Sequence, residues 1–386
     1  MLSPGRWHEQ VPQDRTANLA MRQALLAGAG PDRAWQAALF QRCADDFFFF
    51  VDLFGWQVNP KHVGAEVGPF ITWDCQKLWL RDTIDRLFGQ YPDDMLWEKS
   101  REVGATWMAL FLIVWLWNFH PYKRVLCISH SEQAVDRSGD DGTLFAKIRF
   151  ILDRLPGWMT RGIKRRKLNF TFPNHSTISG AATTVRTGVG DRVTLVLLDE
   201  FSKHQSGYEI WGQTADTGPR LVIGTHYGLN GQYYDLTQRS DMRKIVMHWS
   251  EHPEKKAGAY QYLDVDNRVE VLDKEFVYPA DFQFVMKAEP SGGPYPGLRS
   301  PWYDRECLRR ANARDVAMHL DINPHGSQSQ FFDQLKVRSL QHEFGCKPCW
   351  QGDVGHDPES GRPSCLTACD AGLLKLWLYP RSATSV

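Results

Sequence analysis

The sequence predicts an α/β fold: a mostly parallel central sheet flanked by helices, with a small lid subdomain. Strand-like runs at Met95–Trp97, Arg124–His130, Arg192–Phe201, Pro219–His226 and Lys244–Trp249 are separated by helical patterns, as in β-α units. The run Arg192–Phe201 is almost continuously apolar and ends in Asp199-Glu200. Burial on both faces belongs to a central parallel strand, and acids at its carboxyl end lie where open α/β sheets bind ligands. The third observation is the stretch from Leu96 to Trp107. An apolar strand there enters a short polar turn holding Gly104 and then feeds the apolar stretch Met108–Trp117. In that strand, loop, helix order a helix N-terminus offers unpaired N–H groups to a phosphate chain.

The bulk numbers narrow the class. A chain of 386 residues, 42% apolar and 23% charged, has material for about two domains with ample core. Its formal net charge is zero, so any nucleic-acid contact has to come from local patches. The opening Met-Leu-Ser-Pro-Gly-Arg lacks an apolar signal-peptide region. The longest apolar run, Met108 to Trp117, is about 10 residues, which suits a buried helix and is too short to span a bilayer. Eight cysteines without a secretory signal imply a reducing compartment, with no disulfides expected.

Residues 1–65 read as an N-terminal helical, lid-forming segment: a loose or partly helical lead-in to residue 34, then a helical pattern from Ala34 to Trp56. Within it Phe47-Phe48-Phe49-Phe50 cannot lie on one helix face, so this stretch is expected between two layers. Pro60 to Pro69 is a loop. A helix follows, with Asp74 as the expected N-cap. Gln76 in its first turn either pairs with both edges of an adenine or sits at the surface.

Residues 66–255 form the expected catalytic core. Laid on G-x-x-x-x-G-K-[ST], Lys99 stands at the first glycine, Gly104 at the second, Ala105 at the lysine and Thr106 at the metal-binding hydroxyl. The usual lysine has become alanine while a lysine stands at the opening position, and an ammonium on a four-carbon stem can reach a β/γ-phosphate from either end of so tight a loop. Lys99, Ser100, Arg101, Glu102, Val103, Gly104, Ala105 and Thr106 are therefore either the candidate nucleotide-binding loop of a P-loop NTPase of RecA/ASCE type or an ordinary β-turn-α connection, and the acids downstream favour the first. Asp199 is the candidate Mg²⁺ ligand beside Thr106, and Glu200 the candidate acceptor of a proton from the attacking water. Thr225, at the tip of the strand next to the acid-bearing one, is the candidate coupling residue that senses the γ-phosphate. His248 and His252 read as structural histidines. The basic run Arg161–Lys167 either grips a DNA backbone or blunts a solvated hairpin edge.

Residues 256–335 read as a lid or linker of mixed helix and loop, with a helix over Trp302–Leu320. Residues 336–386 form a cysteine-rich extension: Cys346-x2-Cys349, fifteen residues, then Cys365-x3-Cys369. The four thiols are a candidate structural zinc site or plain thiols, and metal analysis of the purified protein decides between them.

The ordered motifs, from roughly Phe48 to Tyr379, resemble the large subunit of tailed-phage terminase, the ATP-driven DNA-packaging motor. Phe49-Phe50-Val51 with Trp56 and Pro60, then Pro69-Phe70 and Trp73-x2-Gln76, resemble its N-terminal and adenine motifs. Lys99 to Thr106 resembles its deviant P-loop, in which some members carry the lysine at the opening position. Arg101 matches the arginine proposed to act in cis on the γ-phosphate. Leu195 to Phe201 resembles its Walker B strand with the catalytic glutamate, and Gly224-Thr225-His226 with Gly228, Gly231 and Tyr234 its coupling motif. Ser300-Pro301-Trp302-Tyr303-Asp304, His319-Leu320-Asp321 and Phe331-Phe332-Asp333 resemble the block that joins motor to nuclease.

The resemblance implies a DNA-dependent ATPase that moves viral double-stranded DNA into a procapsid. Glu200, Arg101 and Lys99 would be its catalytic residues, and ATP and Mg²⁺ its ligands. It also implies a portal protein and a terminase small subunit as partners, a homo-pentamer on the portal, the cytoplasm of a bacterial host as location, and no membrane. The family's nuclease domain should begin soon after Gly372–Trp377, but no acidic cluster of that type follows, so a motor without nuclease activity is expected. Two other functions fit the same loop. A helicase-like ATPase is disfavoured because Asp199-Glu200-Phe201-Ser202 lacks the D-E-x-[DH] continuation. A non-hydrolysing nucleotide-binding assembly module is distinguished by the absence of any phosphate release.

Overall fold

Asp14, Asp32 and Asp46 each accept a backbone N–H from the turn that follows, and so start α1 (Arg15–Ala29), α2 (Arg33–Asp45) and α3 (Phe47–Phe54). The computed structural model describes residues 7–30, 32–61, 64–181, 192–263, 266–286, 293–326, 350–353 and 375–378. Its contacts gather Met1–Ser329 into one unit and Gln330–Val386 into a second. The expected loop after Pro60 is closed by a short antiparallel pair, β1 (Trp56–Val58) with β2 (Val67–Pro69). In α4 (Asp74–Phe88) the N-cap is Trp73 and not Asp74. The Gln76 side chain accepts the Trp73 N–H (3.1 Å), which leaves Asp74 in the first turn, where its charge suits the helix dipole.

β3 (Met95–Lys99) leads through the candidate loop into α5 (Ala105–Phe119), which is buried almost all round. A helix of that kind needs cover on both sides. The sheet provides one side. The other is α3, every residue of which is buried, with Phe47 against Trp115 (5.7 Å between centroids) and Phe50 against Phe119 (5.0 Å). The phenylalanine run thus lies between two layers, as its composition requires.

After β4 (Arg124–Ile128) the helical spacing that the sequence carries from Ser131 to about Leu152 is split into α6 (Glu132–Val135) and α7 (Leu144–Arg154). Gly139 at φ +75° and Asp140, which accepts the Gly142 N–H (2.9 Å), turn the chain between them, and Thr143 caps α7. Three short strands follow: β5 (Lys164–Arg166), β6 (Asn169–Thr171) and β7 (Thr177–Ala181). The rest of the core is β8 (Leu195–Leu198), α8 (Gly207–Gln213), β9 (Arg220–Gly224), α9 (Gln232–Gln238) and β10 (Arg243–Met247). Every residue of β8 is buried. At its carboxyl end the strand stops short of Phe201, where Glu200, at φ +51°, turns the chain out of the sheet.

The central sheet has eight strands in the order β10-β3-β9-β8-β4-β7-β6-β5. The pairs from β10 through β7 are parallel, and β6 and β5 add an antiparallel edge. Lys99, Gly224, Leu198 and Ile128 therefore end their strands along one edge. β9 stands between the strand that feeds the loop and the strand that carries the acids.

Beyond the sheet, the expected lid contains a small sheet of its own: β11 (Tyr260–Leu263), β12 (Arg268–Val271) and β13 (Leu298–Arg299). The helix expected over 302–320 is two helices, α10 (Pro301–Arg310) and α11 (Ala313–His319). Ala311 at φ +51° ends the first, and Asn312 caps the second. In the second unit β14 (Trp350–Asp353) pairs antiparallel with β15 (Lys375–Leu378). Cys346, Cys349, Cys365 and Cys369 lie outside the described residues.

Candidate nucleotide-binding site

The loop between β3 and α5 is built from two backbone conformations that side chains rarely adopt. Gly104 sits at φ +81°, where a Cβ would also come within 2.8 Å of the Gln76 amide nitrogen. Glu102 takes φ +62° without being glycine, which costs on the order of 1 kcal/mol. Such a turn persists only where its surroundings hold it. The Ser100 N–H donates to Met247 O (2.9 Å), the Arg101 N–H to His319 O (2.8 Å) and the Gln76 amide to Val103 O (3.1 Å). The Ser100 hydroxyl donates to Leu320 O and accepts the Trp249 N–H (3.1 Å).

These bonds leave the backbone N–H groups from Glu102 to Trp107 with no acceptor among the described residues. Left-handed residues that bring consecutive N–H groups to one side, followed by a helix N-terminus, make an anion-binding concavity. The loop has that form although its lysine position is occupied by Ala105.

Across β9 from this loop lie the two acids. β3 and β8 are two strand spacings apart, roughly 10 Å, and the Lys99 stem spans the gap. Its ammonium lies 3.1 Å from Glu200 Oε1, and Lys203 lies 2.8 Å from Glu200 Oε2. Burial raises the Glu200 pKa, but Lys99 and then Lys203 override that and hold the carboxyl down at about 2. Asp199 has the opposite balance. Burial, then the neighbouring Glu200 charge, push it up to about 6. Its Oδ1 is buried without a hydrogen-bond partner among the described residues.

That orphaned oxygen is the test of fit for Mg²⁺. Among the described residues no group of three or more metal-ligating side chains is gathered, but Mg²⁺ ordinarily takes only one or two protein ligands beside substrate phosphates and water. Asp199 and the Thr106 hydroxyl, half-buried in the first turn of α5, fit such a site.

Thr225 is buried at the tip of β9, between loop and acids. Beneath it the Tyr233 hydroxyl donates to Gly224 O (2.9 Å), and the ring lies where a Gly224 Cβ would fall (2.6 Å). His226 follows, its Nε2 3.0 Å from Glu98 Oε2. Arg101 is exposed, and no carboxylate among the described residues pairs with its guanidinium.

Not every predicted side chain points into the site. Gln76 is buried, and its amide is spent on Trp73 and the loop, so the structure gives it loop support in place of a free edge for adenine. The Ser100 hydroxyl is spent likewise, and the Val103 side chain is buried in the core. His248 and His252 are buried, and burial lowers both pKa values, to about 3 and about 4, as neutral structural histidines require.

Three lysines escaped the sequence reading. Lys203 is one helical turn from Glu200, a spacing that signals the pair. Lys147 on α7 donates to Gly142 O (2.8 Å) and faces the acids: burial lowers its pKa, and Asp199 and Glu200 oppose that. Lys255 lies behind the loop, far off in sequence, with no motif around it.

A groove of about 1010 Å³ opens from Trp107, the residue after Thr106, past Lys147 and Phe150 to the basic edge at Arg165–Lys167. No helix among the described residues is long and apolar enough to cross a membrane.

No family model matches the sequence, and no curated protein matches it. Solved structures do. The large terminase of bacteriophage HK97 is 14% identical, with 81% of this chain and 61% of that one covered and a TM-score of 0.45. The large terminase ATPase domain of Thermus phage P74-26 is 15% identical over 42% of this chain and 79% of that one, with a TM-score of 0.34. The large terminase of a thermophilic bacteriophage, solved with ADP, is 12% identical over 47% of each chain, with a TM-score of 0.35. The chain thus spans less than two thirds of the HK97 protein and of the ADP-bound thermophilic-phage protein.

Proposed function

We propose that the chain is the ATPase motor of a tailed-phage DNA-packaging machine, a terminase large subunit that hydrolyses ATP to move double-stranded DNA. The observation that carries this reading is the run of N–H groups from Glu102 to Trp107 with no acceptor among the described residues, with Lys99 reaching over β9 to the acid pair. Phosphates seated in that concavity compete with Glu200 for the Lys99 ammonium. When Lys99 turns to them, Glu200 loses one of its two cations, becomes more basic, and can take a proton from an attacking water. Asp199 and Thr106 would hold Mg²⁺, which when bound supplies charge neutralisation on the phosphate oxygens. Arg101, on the solvent side of the loop, would add positive charge at the γ-phosphate. Thr225 stands where loss of that phosphate is felt first.

Lys99→Ala is expected to weaken ATP binding about 10–100-fold, the worth of a charge-assisted hydrogen bond, and to lower turnover with it. Equilibrium binding of a non-hydrolysable analogue checks this; unchanged affinity would remove Lys99 from the site.

DNA contact falls to the exposed hairpin edge of the sheet. Arg165 pairs with Asp153 and Lys167 with Glu132, whereas Lys164 and Arg166 face solvent with no carboxylate partner among the described residues. The K164A/R166A double variant is expected to keep its DNA-free ATP turnover. Its salt slope for DNA binding should fall by about 0.9 for each phosphate that the hairpin no longer neutralises. A slope equal to that of the wild type would clear the hairpin of that role. Assembly as a pentamer on a portal in the host cytoplasm, with a small subunit, belongs to the same proposal.

One observation favours a second reading, a non-hydrolysing assembly module: Glu200 is held by two lysines and is a poor base as long as both stay. Phosphate release measured with ATP, Mg²⁺ and double-stranded DNA separates the two. Turnover supports the motor, and its complete absence even with portal and small subunit present supports the module.

A further inference from the structure

Lys255 is buried to 5% exposure, yet no carboxylate among the described residues forms an ion pair with its ammonium. It donates instead to two carbonyls of the loop, Arg101 O (2.8 Å) and Glu102 O (3.1 Å), and lies over the Trp302 ring (4.6 Å). The Glu102 carboxylate pairs with Lys61. A buried cation is costly unless something rewards the charge, and two neutral carbonyls are a modest reward.

The geometry of the peptide bond points to a larger one. In a trans peptide the C=O of one residue and the N–H of the next point in opposite senses. Holding Arg101 O and Glu102 O from behind therefore turns the N–H groups of Glu102 and Val103 to the opposite side, where they have no acceptor among the described residues. A cation on the carbonyl end also polarises each peptide, so that its N–H becomes a better donor.

We propose that Lys255 is a positioning residue of the phosphate-binding loop, aligning and polarising the N–H groups of Glu102 and Val103 from behind and supplying the positive charge that Ala105 does not. The proposal rests on the nucleotide-site reading above. It also ties the loop to the region that follows the core. The carbonyl of Lys255 accepts the hydroxyl of Ser300 (2.7 Å), the N-cap of α10, and Trp302 belongs to the same helix. A shift of α10 moves Lys255 and changes how well the loop holds an anion.

The charge makes this testable by pH. Burial lowers the Lys255 pKa to about 8; Glu102 and Glu306 oppose the shift, while Lys61 and Arg310 add to it. His252, which also feels this ammonium, is held neutral by burial. The lysine is charged below about pH 8 and loses its proton above it, so the aid it gives the loop is present at neutral pH and lost in mild alkali.

The experiment is calorimetric binding of ADP to the full chain at roughly pH 7 and roughly pH 9.5. Wild-type affinity is expected to fall about tenfold between the two. Lys255→Met should show the weak, high-pH affinity at both, with an unchanged melting temperature, and Lys255→Arg should restore neutral-pH affinity while flattening the profile. Wild-type affinity that is flat with pH, or a Lys255→Met protein that binds like the wild type, overturns the proposal and leaves the site standing. Should Lys255→Met fail to fold, the wild-type and Lys255→Arg profiles decide. A wild-type chain that binds ADP at neither pH overturns the reading of the site, and the inference with it.

Discussion

Arg101→Ala is expected to slow ATP turnover by about 10³–10⁵-fold, the usual worth of an arginine on the transferring phosphoryl group, with little change in affinity for ATP. The backbone of Arg101 is fixed at both ends, its N–H on His319 O and its carbonyl on the Lys255 ammonium, while its guanidinium is exposed and unpaired among the described residues. A side chain anchored at its root and free at its tip contributes little until charge develops on a phosphate within reach. Its loss should therefore appear in kcat and not in ground-state binding. Single-turnover phosphate release with double-stranded DNA, set beside analogue binding, is the measurement. A rate within about tenfold of wild type would exclude Arg101 from the reaction.

Glu200→Gln should lower turnover by about 10²–10⁴-fold, the range for removal of a general base, while ATP binds as well as before or more tightly. Glutamine keeps the shape of the side chain and can accept a hydrogen bond from Lys203 or Lys99, but it cannot take the proton of an attacking water. It also ends the ion pair that holds Lys99 at 3.1 Å from Oε1. The lysine is then held less tightly and turns to phosphates more readily, and for that reason affinity should not suffer. Equilibrium binding and phosphate release on the same preparation test both halves. Near-normal turnover would refute the base, and weakened binding would refute the competition for Lys99.

Much of this arrangement is legible in the sequence because it depends on local pattern. β3, β4, β8, β9 and β10 are apolar runs ended by polar residues, and burial on both faces produces that pattern. The loop could be read with its lysine displaced, since Lys99 and Thr106 flank a glycine at fixed spacing. Breaks inside helical patterns were not legible. The turn at Gly139–Gly142 and the left-handed Ala311 replace continuous helices, because a short Asx turn or one residue at positive φ outweighs helical periodicity on either side. Nor was the spending of donors. Gln76 carries the right groups for an adenine, but both ends of its amide serve Trp73 and Val103, and only the folded chain brings those partners to it. Lys255 belongs to the same class: its partners are carbonyls, which leave no mark in a sequence.

The loop is fastened from both ends of the chain, and this sets how far the protein can be trimmed. Gln76 comes before the sheet; Lys255, His319 and Leu320 come after its last strand. A chain cut after Met247 would retain all eight strands of the central sheet, both acids and every residue of the P-loop pattern. It would also lose the acceptors of the Arg101 N–H and the Ser100 hydroxyl, and a left-handed Glu102 with nothing to hold it would relax. The smallest piece that keeps the loop in this conformation is therefore longer than the sheet and reaches at least to Leu320.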